Sequence, residues 1–79
     1  MAVLKARLTF PNELITEPVI YNLGRKYKII TNIRRANITQ NAGWVILEIS
    51  GDQDEIDKAV EYLEGIKVKV EPVEGDIIQ

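Results

Sequence analysis

The sequence predicts an α+β sandwich, one antiparallel sheet of four strands with two helices on one of its faces. Three observations carry that expectation. Strict apolar–polar alternation over Val3 to Phe10 and again over Trp44 to Ser50 reads as two half-buried strands. Each is followed by a segment with apolar residues at helical spacing and then by a further strand-like run. Between the halves, Gln40, Asn41, Ala42 and Gly43 supply the turn chemistry of a hairpin.

Taken in order, the first strand puts Leu4, Ala6, Leu8 and Phe10 on one face and Lys5, Arg7 and Thr9 on the other. Pro11, Asn12 and Glu13 break it. Thr16 suits the N-cap of a helix running from Glu17 to about Lys26, with Glu17 and Pro18 in its first turn, where both are favoured. Val19, Ile20, Leu23 and Tyr27 form its apolar stripe. Gly24 inside that helix costs about 1 kcal/mol relative to alanine, which points to close packing on the sheet.

The second strand, Ile29 to Thr39, changes phase along its length. Ile29, Thr31 and Ile33 share one parity, whereas Ala36 and Ile38 share the other. For both sets to face the core, one extra residue has to be accommodated near Arg34 and Arg35, which is a β-bulge. In the third strand Val45, Leu47 and Ile49 face one way and Trp44, Ile46 and Glu48 the other, and Gly51 ends it. Asp52 with Glu55 resembles a capping box at the start of a second helix. That helix carries Ile56, Ala59, Val60 and Leu63, and Gly65 fits its C′ position. Ile66, Val68 and Val70 alternate with Lys67, Lys69 and Glu71 in a last strand stopped by Pro72. The order βαββαβ is most economically folded as a ferredoxin-like sandwich with one sheet face open. A single domain over residues 1–79 is expected, with its core over about 3–73 and a loose tail over 74–79.

A chain of 79 residues, 46% hydrophobic and 28% charged, is sized for one globular domain. Its small core supplies about 3–5 kcal/mol of net stability, so self-association is a natural way to gain more. The absence of cysteine and histidine removes disulfides, thiolate metal sites and the commonest general base. No cofactor or metal is expected, and no residues form a catalytic constellation. No apolar run approaches the ~18 residues of a membrane span, and the N-terminus passes into a strand without the apolar block of a signal peptide. A cytoplasmic location without membrane insertion is therefore expected. The net charge of −2 gives no bulk attraction to nucleic acid.

With the elements placed, an ordered set of residues resembles the NIL domain family over about Leu8 to Val73. The set comprises Pro18, Val19 and Ile20 in the first helix, Asn32, Ile33 and Ala36 on the second strand, Gly43 to Gly51 with Glu48 between, and Lys67 to Glu71. The family takes its name from an Asn-Ile-Leu motif on the second strand and is best known at the C-terminus of the ATPase subunit of bacterial methionine importers. The resemblance implies domains that pair and bind methionine near the motif asparagine, which is Asn32 here. The third motif position is Arg34 rather than leucine, and no Walker A sequence is present, so the resemblance does not extend to transport.

Candidate site residues follow from both sources. Asn32 with Ile33 is either a ligand contact or an ordinary strand residue satisfying a backbone group at the bulge. Arg34 and Arg35 either clamp a carboxylate or guard a solvated strand edge. Trp44 and Ile46 fall on the open sheet face, either as an interface or covered by long neighbours such as Lys5, Arg7 and Lys69. The expected function is a non-enzymatic, small-molecule-sensing regulatory domain, binding a methionine-like amino acid and forming a homo-oligomer. A protein–protein adaptor without ligand is the second reading. RNA binding by the basic sheet is third, because such sheets stack bases on two or three aromatics and only Trp44 is available.

Overall fold

The computed structural model describes residues 1–14, 18–39 and 42–73. Its elements are β1 (Ala2–Phe10), a 3-10 turn (Asn12–Leu14), α1 (Val19–Lys26), β2 (Ile29–Ile38), β3 (Gly43–Gly51), α2 (Gln53–Gly65) and β4 (Lys69–Pro72). The four strands form one antiparallel sheet in the order β2-β3-β1-β4, as the ferredoxin-like expectation requires. The alternation in β1 and β3 works as read. Ala6, Leu8, Val45, Leu47 and Ile49 lie on one face and are buried with Val19, Leu23, Ile56, Ala59 and Leu63 of the helices in one cluster. Both helices therefore cover the same face, and among the described residues no helix covers the other.

The expected bulge is present. Ile33 pairs with Leu47 and Arg35 with Ile46, so Arg34 is the extra residue. This offset keeps Ile33, Ala36 and Ile38 on the helix side of the sheet, opposite Leu47, Val45 and Gly43. They are nonetheless exposed, Ile33 by 54% and Ile38 by 57%, because the helix layer does not cover the far half of this edge strand.

Several local expectations give way to different physics. α1 begins at Val19, with Pro18 in the N-cap position and its carbonyl accepting from Asn22 N–H at 3.0 Å. Thr16, expected as the cap, and Glu17 lie outside the described residues, as does the tail over 74–79. At the start of α2, Asp52 occupies the N-cap without a side-chain bond, and no capping box forms. The Glu55 carboxylate reaches across instead and accepts the Lys28 backbone N–H at 2.9 Å, satisfying a donor in the turn between α1 and β2.

The last strand is shorter than the alternation suggests. Ile66 to Val68 complete a Schellman closure of α2, in which Lys67 N–H donates to Glu64 O at 3.1 Å and Val68 N–H to Leu63 O at 2.9 Å. The left-handed position belongs to Lys67, at φ 76°, and not to Gly65, which is the last residue of the helix. Buried Val68 and Leu63 provide the apolar contact that accompanies this motif.

Gly24 does not pack closely on the sheet. It is exposed, and a Cβ built there meets nothing within 4 Å. Its helical backbone entropy is thus uncompensated, and Gly24→Ala is expected to raise stability by about 0.5–1 kcal/mol, read as a higher thermal midpoint. A lowered midpoint would mean that the glycine has a steric role at this position.

Candidate functional site

Period-two geometry and strand register assign each candidate residue to a face. On the open face, Asn32 lies opposite Glu48 and Glu48 opposite Lys5. The next row is Arg35, Ile46, Arg7 and Glu71, and the following one Asn37, Trp44, Thr9 and Lys69. Ile30, Ser50 and Val3 form a further row at the β2 N-terminal end. Arg34, the bulged residue, reaches the same side, its guanidinium 3.5 Å from the Glu48 carboxylate. The fold thus brings Asn32, Arg34, Arg35, Trp44 and Ile46 onto one surface. Ile33 does not join them, since it points to the helix side of the sheet.

Trp44 and Ile46 are half-buried, partly because Arg7 lies over the indole with its guanidinium carbon 4.7 Å from the ring centroid. That cover by a long neighbour is one of the two readings held for the pair. The Asn32 amide is exposed and makes no hydrogen bond among the described residues, so it is not spent on the bulge backbone. Arg35 is exposed and forms no ion pair among them either. Lys69 sits 3.8 Å from Glu71. Five cationic side chains (Lys5, Arg7, Arg34, Arg35 and Lys69) therefore share this face with two carboxylates, Glu48 and Glu71. The opposite layer is acidic, with Asp54, Asp57, Glu61 and Glu64 exposed on α2.

Among the described residues, one carboxyl is perturbed. The Lys28 backbone N–H, and then the Lys58 ammonium 3.3 Å away, hold Glu55 below its ordinary value of 4.5. A depressed carboxyl pKa makes this contact favourable above the unfolded value, and the benefit is lost as the pH falls through the lowered one. Among the described residues no group of three or more acidic, histidine or cysteine side chains is placed to hold a metal. No described helix is long and apolar enough to cross a membrane. Sequence reasoning missed the Lys28–Glu55 bond, and it named Arg7 only as one of several long neighbours able to cover Trp44. Parity alone put Arg7 and Trp44 on the same face, but their contact depends on the β1–β3 register.

These features define a small ferredoxin-like domain with a basic, partly apolar open sheet face and a bulged edge strand. The chain belongs to the NIL domain family, whose sequence pattern matches residues 5–72. It is 36% identical over 69 residues to the methionine import ATP-binding protein MetN of Helicobacter pylori (strain J99 / ATCC 700824), an alignment covering 82% of this chain and 21% of that protein. It is 30% identical over 73 residues to MetN of Halalkalibacterium halodurans, covering 87% of this chain and 22% of the relative. The chain thus spans about a fifth of the length of these relatives. In structure it is similar to the C-terminal domain of an ABC transporter ATP-binding protein from Enterococcus faecalis, with a TM-score of 0.79 and 26% identity over 92% of this chain and 86% of that one.

Proposed function

We propose that this chain is a non-enzymatic regulatory domain of the cytoplasm that senses a small amino acid of the methionine type. The observation that carries the reading is the bulge at Arg34. It interrupts the β2–β3 ladder beside Asn32, whose amide is unengaged, and places two arginines next to it. An amide, exposed backbone groups and guanidinium groups are the partners an amino acid's carboxylate and ammonium need. Membership of the NIL family, with relatives named for methionine import, supports methionine-like ligands as the first to test.

Asn32→Ala is expected to leave the thermal midpoint unchanged and to weaken ligand binding by about 1–2 kcal/mol, the order of one lost polar contact. Calorimetry with methionine on both proteins checks this. Unchanged affinity would clear Asn32 of a direct role, and marked destabilisation would make the residue structural. If no amino acid in a thermal-shift panel stabilises the wild type, the adaptor reading takes its place.

We also propose that the domain self-associates through β2. Ile30, Ile33 and Ile38 are all exposed on this edge strand, and an unpaired edge of that character pairs readily with a second copy. The face bearing Trp44 and Ile46 is less suited to meet its own copy, since cations outnumber carboxylates on both sides of such a contact. Sedimentation at high micromolar concentration is expected to show a dimer or larger species, and a strict monomer would remove the pairing.

A further inference from the structure

The open sheet face carries a wider chemistry than the amino-acid reading uses, and the two share only Arg35. Its central row sets Ile46 between Arg35 on one side and Arg7 on the other, each one strand spacing away, so the two arginine positions stand ~10 Å apart across the sheet. Arg35 has no ion-pair partner among the described residues, and Arg7 is held over Trp44 rather than by salt bridge. On the same face, Ile30 and Val3 are exposed apolar groups two rows away, while Glu48 and Glu71 are already engaged with Arg34 and Lys69.

We propose that this face docks an acidic, partly apolar polypeptide segment, with carboxylates on Arg7 and Arg35 and an apolar side chain laid over Ile46. An extended strand with acidic, apolar and acidic residues at alternate positions presents all three on one side. Its two carboxylates are then ~13 Å apart, within reach of two long guanidinium side chains. Charge selects against a second copy of this face, because like charges would meet. Charge and stacking also select against nucleic acid. Trp44 is the chain's single tryptophan, its ring is already covered by Arg7, and two carboxylates interrupt the cations that phosphates would track.

Trp44 also makes the test direct, since its emission reports on this face alone. The probe is a synthetic peptide repeating Glu-Ser-Val-Ser, titrated into the intact chain at low salt, with peptide-anisotropy readout in parallel. A saturable change is expected for this peptide and none for its Lys-Ser-Val-Ser counterpart. Arg35→Gln and Arg7→Gln, both at exposed positions, are each expected to weaken binding about tenfold at an unchanged thermal midpoint, the scale of one lost charged contact. Asn32→Ala is expected to bind the peptide as the wild type does, which separates this surface from the amino-acid site. Absence of a saturable response, or equal binding of the lysine peptide, would overturn the proposal. Tighter binding of an oligouridylate than of the acidic peptide would overturn it in favour of RNA.

Discussion

Truncating Leu47 to alanine is expected to cost about 3 kcal/mol, enough to bring the chain close to its unfolding midpoint at 25 °C. Leu47 is fully buried in the middle of β3, an inner strand, paired on one side with Ala6 and on the other with Ile33. The cavity would lie under both helices, and a domain of this size has only about 3–5 kcal/mol in reserve. Urea unfolding of the variant is the measurement, with Val3→Ala as the control. Val3 stands on the open face with 63% of its surface exposed, and its truncation is expected to shift stability by less than about 0.5 kcal/mol. Equal effects at the two positions would contradict the assignment of the core to the helix side.

Gly51→Ala is expected to be nearly as damaging, by about 2 kcal/mol. An added Cβ would stand 2.9 Å from the Lys28 carbonyl oxygen and 3.3 Å from Cγ2 of Ile29. The obstacle is backbone, and it cannot easily retreat. The Lys28 N–H is bonded to Glu55, and Ile29 is buried and paired with Gly51 itself. For a chain of this length, 2 kcal/mol corresponds to a fall of roughly 10 °C in the thermal midpoint. A midpoint within a degree or two of wild type would show that the β2–β3 junction yields more readily than its hydrogen bonds imply.

The legible parts of the fold were those governed by local periodicity. Alternation in β1 and β3 identified their inward residues, and the parity change between Ile33 and Ala36 was enough to locate the bulge. The misreadings arose where a local rule had a non-local competitor. Ile66, Val68 and Val70 alternate like a strand, but Val68 is held by Leu63 O in the helix closure, and a lysine rather than a glycine takes the left-handed position. Glu55 has the spacing of a capping box, yet it bonds a backbone donor 27 residues away. At the candidate site, sequence parity already separates Asn32 from Ile33, since neighbours on a strand face opposite ways. The surroundings of Asn32 and Arg35 depend on which β3 residues stand opposite them, and that comes from the bulge together with the hairpin register.

The strand order carries a consequence for how the chain is assembled during synthesis. Residues through Gly51 suffice to build β1, β2 and β3 as a contiguous sheet, but the other edge of β1 must wait for Lys69–Pro72. Until that short strand emerges and pairs with Ala6 to Thr9, the nascent domain displays an open β1 edge as well as the permanent one on β2. Two free edges and an incompletely covered core make this interval the one most exposed to mispairing between neighbouring nascent chains. The last strand is therefore the latch of the fold: it adds little area but replaces the nine-residue edge of β1 with a four-residue edge that ends in Pro72, a far poorer template for further pairing.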